Sequence, residues 1–311
     1  MVTVSAPGKI HLMGEHAVVY GRPALLSAVN LRLSVSVEPA KKLEIISTEP
    51  TGYIRYAAEL LTKKYKLPDL PNVKITVKSE IPAGYHLGSS AAAAVATVGA
   101  LMYFLKKIWN PRVINQIAYE AEKKQHGNPS GGDNTAVTMG GFLWYRREPE
   151  FLKSIRQLPF KPHPSLNHFF LINTGKPAES TGEMVAYVRQ QITIHPSQFK
   201  KLFDENEEQT KKIAVAFKEG DEKILIDAIQ KGEKTLEGMG VVSVKVVPLM
   251  RKIEKLGGAV KILGGGGRAE GAGFLLCYHR DQERIRKICD EYHFAIENVR
   301  LGEEGVRLDE K

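Results

Sequence analysis

Apolar and polar residues alternate at 2–5 (VTVS) and at 33–37 (LSVSV), the period of half-buried strands. Val73, Ile75 and Val77 alternate again, just before a turn containing Pro82 and Gly84. The run Ser89–Leu105 is rich in alanine and has helix length. Residues 54–66 and 112–124 carry apolar side chains at helical spacing and predict two amphipathic helices. Gly140 and Gly141 introduce FLWY, a predicted strand.

Prolines at 149, 159, 162 and 164 make 148–167 an irregular stretch and the predicted domain junction. His168–Ile172 then reads as a strand. Ser180 and Glu183 form a capping box opening a helix through Gln191. Helical patterns follow at 197–218, 221–237 and 243–256. The chain ends as a strand (259–263), a Gly-rich loop, a strand (273–278), a helix (281–292) and a strand (294–299). The order of elements predicts an α+β protein, richer in strands in its first half.

The 311 residues suggest two domains, placed at 1–160 and 161–311. Apolar residues make up 43% and charged ones 25%, an ordinary globular composition. No run approaches 18 consecutive apolar residues, so no membrane span is expected. A secretory leader is not expected either. Cys277 and Cys289 cannot build a disulfide framework, and a reduced, cytoplasmic setting fits. The net charge of +9 is thinly spread, and no nucleic-acid-binding signature accompanies it.

Polar and Gly-rich segments carry the chemistry. In APGKIHLMGEHAVVYG (6–21), Lys9, Glu15 and His16 bring a cation, a carboxylate and a titratable ring together. A Gly-punctuated hairpin with incidental charges is the plain alternative. SEIPAGYHLGSSAA (79–92) leads from a strand into a helix N-terminus, where free N–H groups and the helix dipole favour phosphate. The hydroxyl of Ser90 suits Mg²⁺; Ser89 or Ser90 also reads as a plain helix cap. No GxxxxGK[ST] occurs, which excludes a Walker loop. EKKQHGNPSGGDNT (122–135) sets Glu122 at a helix end, and Asp133 leaves the turn of Asn-Pro and Gly-Gly beside small residues, within reach of a substrate. Such carboxylates can orient a hydroxyl and hold a metal; Asp133 reads equally as a turn cap. Gly264–Gly267 lie between two strands, as a hairpin or as a wall against phosphates.

In this order the segments resemble the GHMP kinases, and within them the branch that phosphorylates mevalonate. GKIHLMGEHAVVYG is similar to that family's first motif and PAGYHLGSSAAAA to its second. HGNPSGGDNTAVTMGG is similar to the segment bearing the catalytic aspartate. NTGKPAESTGEMV (173–185) resembles the stretch opening the second domain, and VKILGGGGRAEGAGF (260–274) the third motif. The resemblance implies a mixed N-terminal sheet with helices and a C-terminal ferredoxin-like domain. It implies Asp133 as the base toward the substrate hydroxyl and Lys9 as its partner. It implies Ser90 and Glu122 as Mg²⁺ ligands, and Gly84, Leu87, Gly88, Ser89 and Ser90 around the ATP phosphates. Gly264, Gly265 and Gly266, with Gly267, are implied as the loop closing over those phosphates. Glu15, His16 and Thr181 are implied at mevalonate. ATP and mevalonate are the implied partners, without nucleic acid or membrane, and a homodimer stays open.

The chain departs from the family pattern twice. His86 stands at the middle glycine of the second motif. Leu263 replaces a small hydroxyl before the third, and Arg268-Ala269-Glu270, read as an exposed loop tip, interrupts its glycines.

Overall fold

A computed structural model describes residues 1–47, 49–126, 130–147 and 152–310. In chain order the elements are β1 (Val2–Met13), β2 (Pro23–Pro39), β3 (Glu44–Ile46), α1 (Thr51–Lys64), β4 (Val73–Ser79), α2 (Ser89–Lys106), α3 (Pro111–His126), α4 (Gly132–Met139), β5 (Phe142–Arg147) and β6 (Lys153–Gln157). They continue as β7 (Phe169–Asn173), α5 (Thr181–Ile194), α6 (Pro196–Glu219), α7 (Glu222–Gly238), α8 (Val247–Lys255), β8 (Ala259–Ile262), β9 (Phe274–Tyr278), α9 (Gln282–Glu291), β10 (Ala295–Val299) and β11 (Arg307–Glu310). The fold is α+β.

The chain forms two compact units, and neither is continuous. One comprises Met1–Lys9, Ser27–Leu143 and Gly302–Lys311; the other comprises Ile10–Leu26 and Trp144–Leu301. The division therefore differs from a single cut at 160. The β1–β2 hairpin and the returning C-terminal strand carry the chain across the boundary, because strand pairing follows register and not sequence proximity.

In the first unit the strands run in the order β11-β1-β2-β4-β3. Val35 and Val37 of β2 stand opposite Val77 and Ile75 of β4, and Ile75 opposite Ile45 of β3. Strand β11 pairs antiparallel with β1. Helix α1 buries Tyr53, Ile54, Ala57, Ala58 and Leu61, one stripe at helical spacing. Helices α1 and α3 both pack against α2. Helix α2 is long and apolar enough to cross a membrane on composition alone, yet 72% of it is buried inside the protein. Its alanines let neighbouring helices approach closely, so it serves as the core helix.

In the second unit β10-β7-β9-β8 form an antiparallel sheet. With α5–α8 between β7 and β8, and α9 between β9 and β10, this is the ferredoxin-like β-α-β-β-α-β arrangement with a lengthened first crossover. Its core gathers Phe170, Ile172, Leu249, Ile253, Val260, Ile262, Leu275 and Ile285, together with Ala17. The capping box of Ser180 and Glu183 is present at α5, and Asp221 and Asp281 cap α7 and α9.

The structure refines three local expectations. The stretch 148–167 contains β6 and a short 3₁₀ turn, Pro164–Leu166, beyond the undescribed residues 148–151. Pro159, Pro162 and Pro164 all lie after β6, so they do not interrupt its ladder. In the first motif β1 runs through Gly8 to Met13, and Gly14 (φ 108°) and Gly21 (φ 80°) bracket the turn into β2. Asp133 leaves the Gly131–Gly132 turn in the first turn of α4, a helix whose polar, Gly-rich start hides it from periodicity.

Candidate active site

In the first unit, three segments converge on Lys9. The backbone N–H of Lys9 donates to the Leu87 carbonyl at 2.8 Å, joining β1 to the loop before α2. Gly88 sits against the Lys9 stem: a Cβ at Gly88 would lie 2.9 Å from Lys9 Cγ. The ammonium of Lys9, only 5% exposed, reaches Asp133 Oδ2 at 3.1 Å, while the Asp133 side chain is 37% exposed and open to a substrate.

Glu122, buried on α3, belongs to the same electrostatic group. Burial pushes its carboxyl up to about 8, the Asp133 charge adds to the rise, and Lys9 opposes it. One lysine thus faces two acids. Among the described residues no three His, Cys, Asp or Glu converge as an all-protein metal cage. The oxygen donors of Ser90 and Glu122 suit Mg²⁺, which keeps few protein ligands and takes the rest from phosphate and water.

A polar clasp positions Asp133. Asn115 of α3 donates from Nδ2 to Thr135 Oγ1 at 3.1 Å and accepts from Asn134 Nδ2 at 2.6 Å. Residues on either side of Glu122 and Asp133 are thereby locked together. Gly127, Asn128 and Pro129 lie outside the described residues.

Helix α2 begins after Gly88 (φ 79°) and has no side-chain cap. The expected Ser cap is therefore replaced by a left-handed glycine. Ser89 instead donates its hydroxyl to Glu49 Oε1 at 2.7 Å. Ser90 is half-buried in the first turn. Gly84 takes φ 83° in the same loop, and His86 takes φ 63°, a left-handed conformation kept without the glycine.

In the second unit, Glu15, His16, Gly265 and Thr181 come together. His16 Nε2 lies 3.1 Å from the Gly265 carbonyl. A Cβ at Gly265 would be 3.3 Å from Thr181 Cα, so the loop backbone lies directly over the start of α5. Burial lowers the His16 imidazole below its ordinary value, and the Gly265 contact opposes this. Glu15 is buried and paired with Lys261. The loop itself is tightly folded: Gly266 has φ 69°, and a Cβ there would fall 2.1 Å from the Val241 carbonyl. Arg268 is exposed, as expected of a loop tip. Its guanidinium nevertheless stacks 3.9 Å over the Tyr187 ring, while Glu179 accepts from the Arg268 and Ala269 N–H groups.

Sequence reasoning passed over Glu49 and Lys261. Glu49 lies in an ordinary polar loop and offers no signal. Lys261 did offer one, a lysine in the middle of the apolar strand AVKIL.

The pattern "GHMP kinases N terminal domain" matches residues 52–141. A mevalonate kinase of Archaeoglobus fulgidus is 36% identical over 271 residues, spanning 85% of this chain and 88% of that one. A mevalonate kinase of Pyrococcus abyssi is 31% identical over 344 residues, spanning 100% and 98%. The crystal structure of L. major mevalonate kinase in complex with R-mevalonate shares the fold, with a TM-score of 0.78 at 22% identity over 92% of this chain and 89% of that one.

Proposed function

This chain belongs to the mevalonate kinases of the GHMP kinase family, and from that premise we propose that it transfers the γ-phosphoryl group of ATP to the C5 hydroxyl of mevalonate. The observation that carries the reading is the Lys9–Asp133 pair at 3.1 Å, seated against the loop that opens α2.

Phosphoryl transfer asks for positioning and charge compensation more than covalent work. Asp133 accepts a hydrogen bond from the substrate hydroxyl and orients its oxygen for in-line attack. Its carboxylate takes the proton late, as the oxygen loses basicity. Lys9 holds that carboxylate in place. The left-handed start of α2 offers uncapped N–H groups to the phosphates at Ser89 and Ser90. Gly84, Leu87 and Gly88 shape that loop. Gly264, Gly265 and Gly266 supply the second phosphate-facing loop in this reading. Glu122 and Ser90 would hold Mg²⁺, which supplies charge neutralisation of the phosphates. Glu15, His16 and Thr181 are the proposed substrate-side group. The same reading keeps the enzyme in the cytoplasm, with ATP and mevalonate as partners.

A sister reaction, on phosphomevalonate or on the 3-hydroxyl of mevalonate, is the competing reading. ADP release over a panel of mevalonate and 5-phosphomevalonate, with product identified by mass and NMR, separates them. Turnover with mevalonate giving the 5-phosphate is expected; turnover only with the phosphorylated substrate, or a 3-phosphate product, would overturn the proposal. Asp133→Ala should abolish turnover while ATP binding stays within a few-fold of wild type.

A further inference from the structure

Lys261 lies at the centre of β8, opposite Leu276 of β9, with its side chain 0% exposed. A lysine is almost never buried to this extent unless its ammonium is fully paired. Here three acceptors meet the three N–H bonds: the Glu15 carboxylate, the Ile262 carbonyl and the His11 carbonyl at 3.2 Å. Glu15, 2% exposed, lies 246 residues away in sequence.

A second buried acid is nearby, since Glu233 of α7 accepts from the Ile262 N–H at 3.0 Å and feels the charge of both Lys261 and Glu15. Full burial holds the Glu233 carboxyl well above the usual carboxylate range, and the Lys261 charge opposes this. The carboxylate that the ammonium contacts is that of Glu15.

The pair fixes the residue that follows. His16 has φ 59°, a conformation a histidine adopts only when its surroundings hold it there. Its Nε2 faces the Gly265 carbonyl, which can only accept, so Nε2 carries the proton and Nδ1 keeps its lone pair. Nδ1 is buried and has no partner among the described residues. It is a fixed acceptor for one hydroxyl donor.

We propose that Lys261 is the positioning residue of the Glu15–His16 segment: by anchoring Glu15 it fixes the His16 imidazole in the tautomer and orientation that accept a substrate hydroxyl. The inference rests on the mevalonate reading above.

The test is steady-state kinetics on wild type, Lys261→Met, Lys261→Arg, Glu15→Gln and the charge-balanced double variant Glu15→Gln/Lys261→Met. Wild-type turnover of mevalonate is the first arm, and its absence overturns the functional reading. Given that turnover, Lys261→Met should raise the mevalonate KM at least tenfold, with the ATP KM within about threefold. Lys261→Arg should recover part of the loss. Glu15→Gln and the double variant should match each other, because both remove the same anchor. Equal rises in the two KM values, unchanged KM values, or additive losses in the double variant would overturn the role. If Lys261→Met does not fold, the comparison of Glu15→Gln with the double variant decides alone. Nitrogen NMR of the histidines adds a readout that a merely structural lysine would leave alone. In wild type the His16 signal should be that of a neutral ring protonated at Nε2, and in the double variant it should move toward a tautomer mixture. An unmoved His16 signal would also overturn the role.

Discussion

Gly88 meets two demands. Its φ of 79° disfavours any side chain, and a Cβ would press on the Lys9 stem at 2.9 Å. Gly88→Ala should therefore cost about 1–3 kcal/mol of stability. By displacing Lys9 it should lower kcat about 100-fold, since a shift near 1 Å at a reacting group has that effect; thermal melts and initial rates check both. His86 poses the opposite case, a side chain carried at φ 63°. His86→Gly removes the left-handed penalty of about 1–2 kcal/mol, while the freer unfolded chain takes back about half. A net gain of about 0.5–1 kcal/mol in denaturant unfolding is expected. Glu122 makes a pH prediction. Its carboxyl, raised to about 8, is protonated at neutral pH before a cation arrives. Binding of Mg²⁺·ATP should then release close to one proton at pH 7 and weaken as pH falls from 8 toward 6. Calorimetry in buffers of different ionisation enthalpy reads this release, and Glu122→Gln should abolish it. For folding the sign is the reverse of the usual acid: between pH 4.5 and 8 the unfolded chain loses this proton first, so stability declines as pH rises. Lys9, Asp133 and Glu122 were legible because three polar motifs stand out from apolar surroundings. Glu49 was not, because its meeting with Ser89 is made by the fold and has no local pattern.

Side-chain amides tie helix α3 to the start of α4. Asn115→Ala removes both bonds to the Asp133 turn. It should lower kcat about tenfold with the ATP KM little changed, because it loosens the orientation of Asp133 and leaves the α2 loop alone. Equal effects on both parameters would show that the clasp supports the whole unit. Elements with a clear period were readable in advance. Helix α1 shows one buried stripe, α5 announces itself by its capping box, and α7 by its helical pattern. What escaped had no period to show. Helix α4 opens with Gly-Asp-Asn; β3 has three residues; β6 is polar (KSIRQ) and lies within the proline-rich stretch that reads as loop. Strand β11 (RLDE) is legible only by its pairing with β1.

At the level of the molecule, the two units share the chain in alternating pieces. The core of the second unit takes Ala17 from the segment Ile10–Leu26 and is lined there by Tyr20, which stacks on Phe203 at 5.0 Å. A fragment of residues 161–311 lacks that segment, and far-UV circular dichroism should show it poorly folded until a longer chain restores 10–26. A cooperative melt of the isolated fragment would contradict this. A single cut was the natural reading because the proline cluster is visible in sequence and a discontinuous division is not. The charge of +9 helped little, since many lysines are absorbed in helix-surface pairs such as Lys200–Asp204 and Lys212–Glu208. Such exposed pairs contribute little, because solvent screens them. The sequence separation of 246 between Glu15 and Lys261 also sets a schedule for biosynthesis. At about 5–20 residues per second, the ribosome needs roughly 10–50 seconds to supply the lysine after the glutamate has emerged. Through that interval the nascent Glu15 has no buried cation to meet and must stay hydrated, so closure of the second unit is postponed until synthesis is nearly complete.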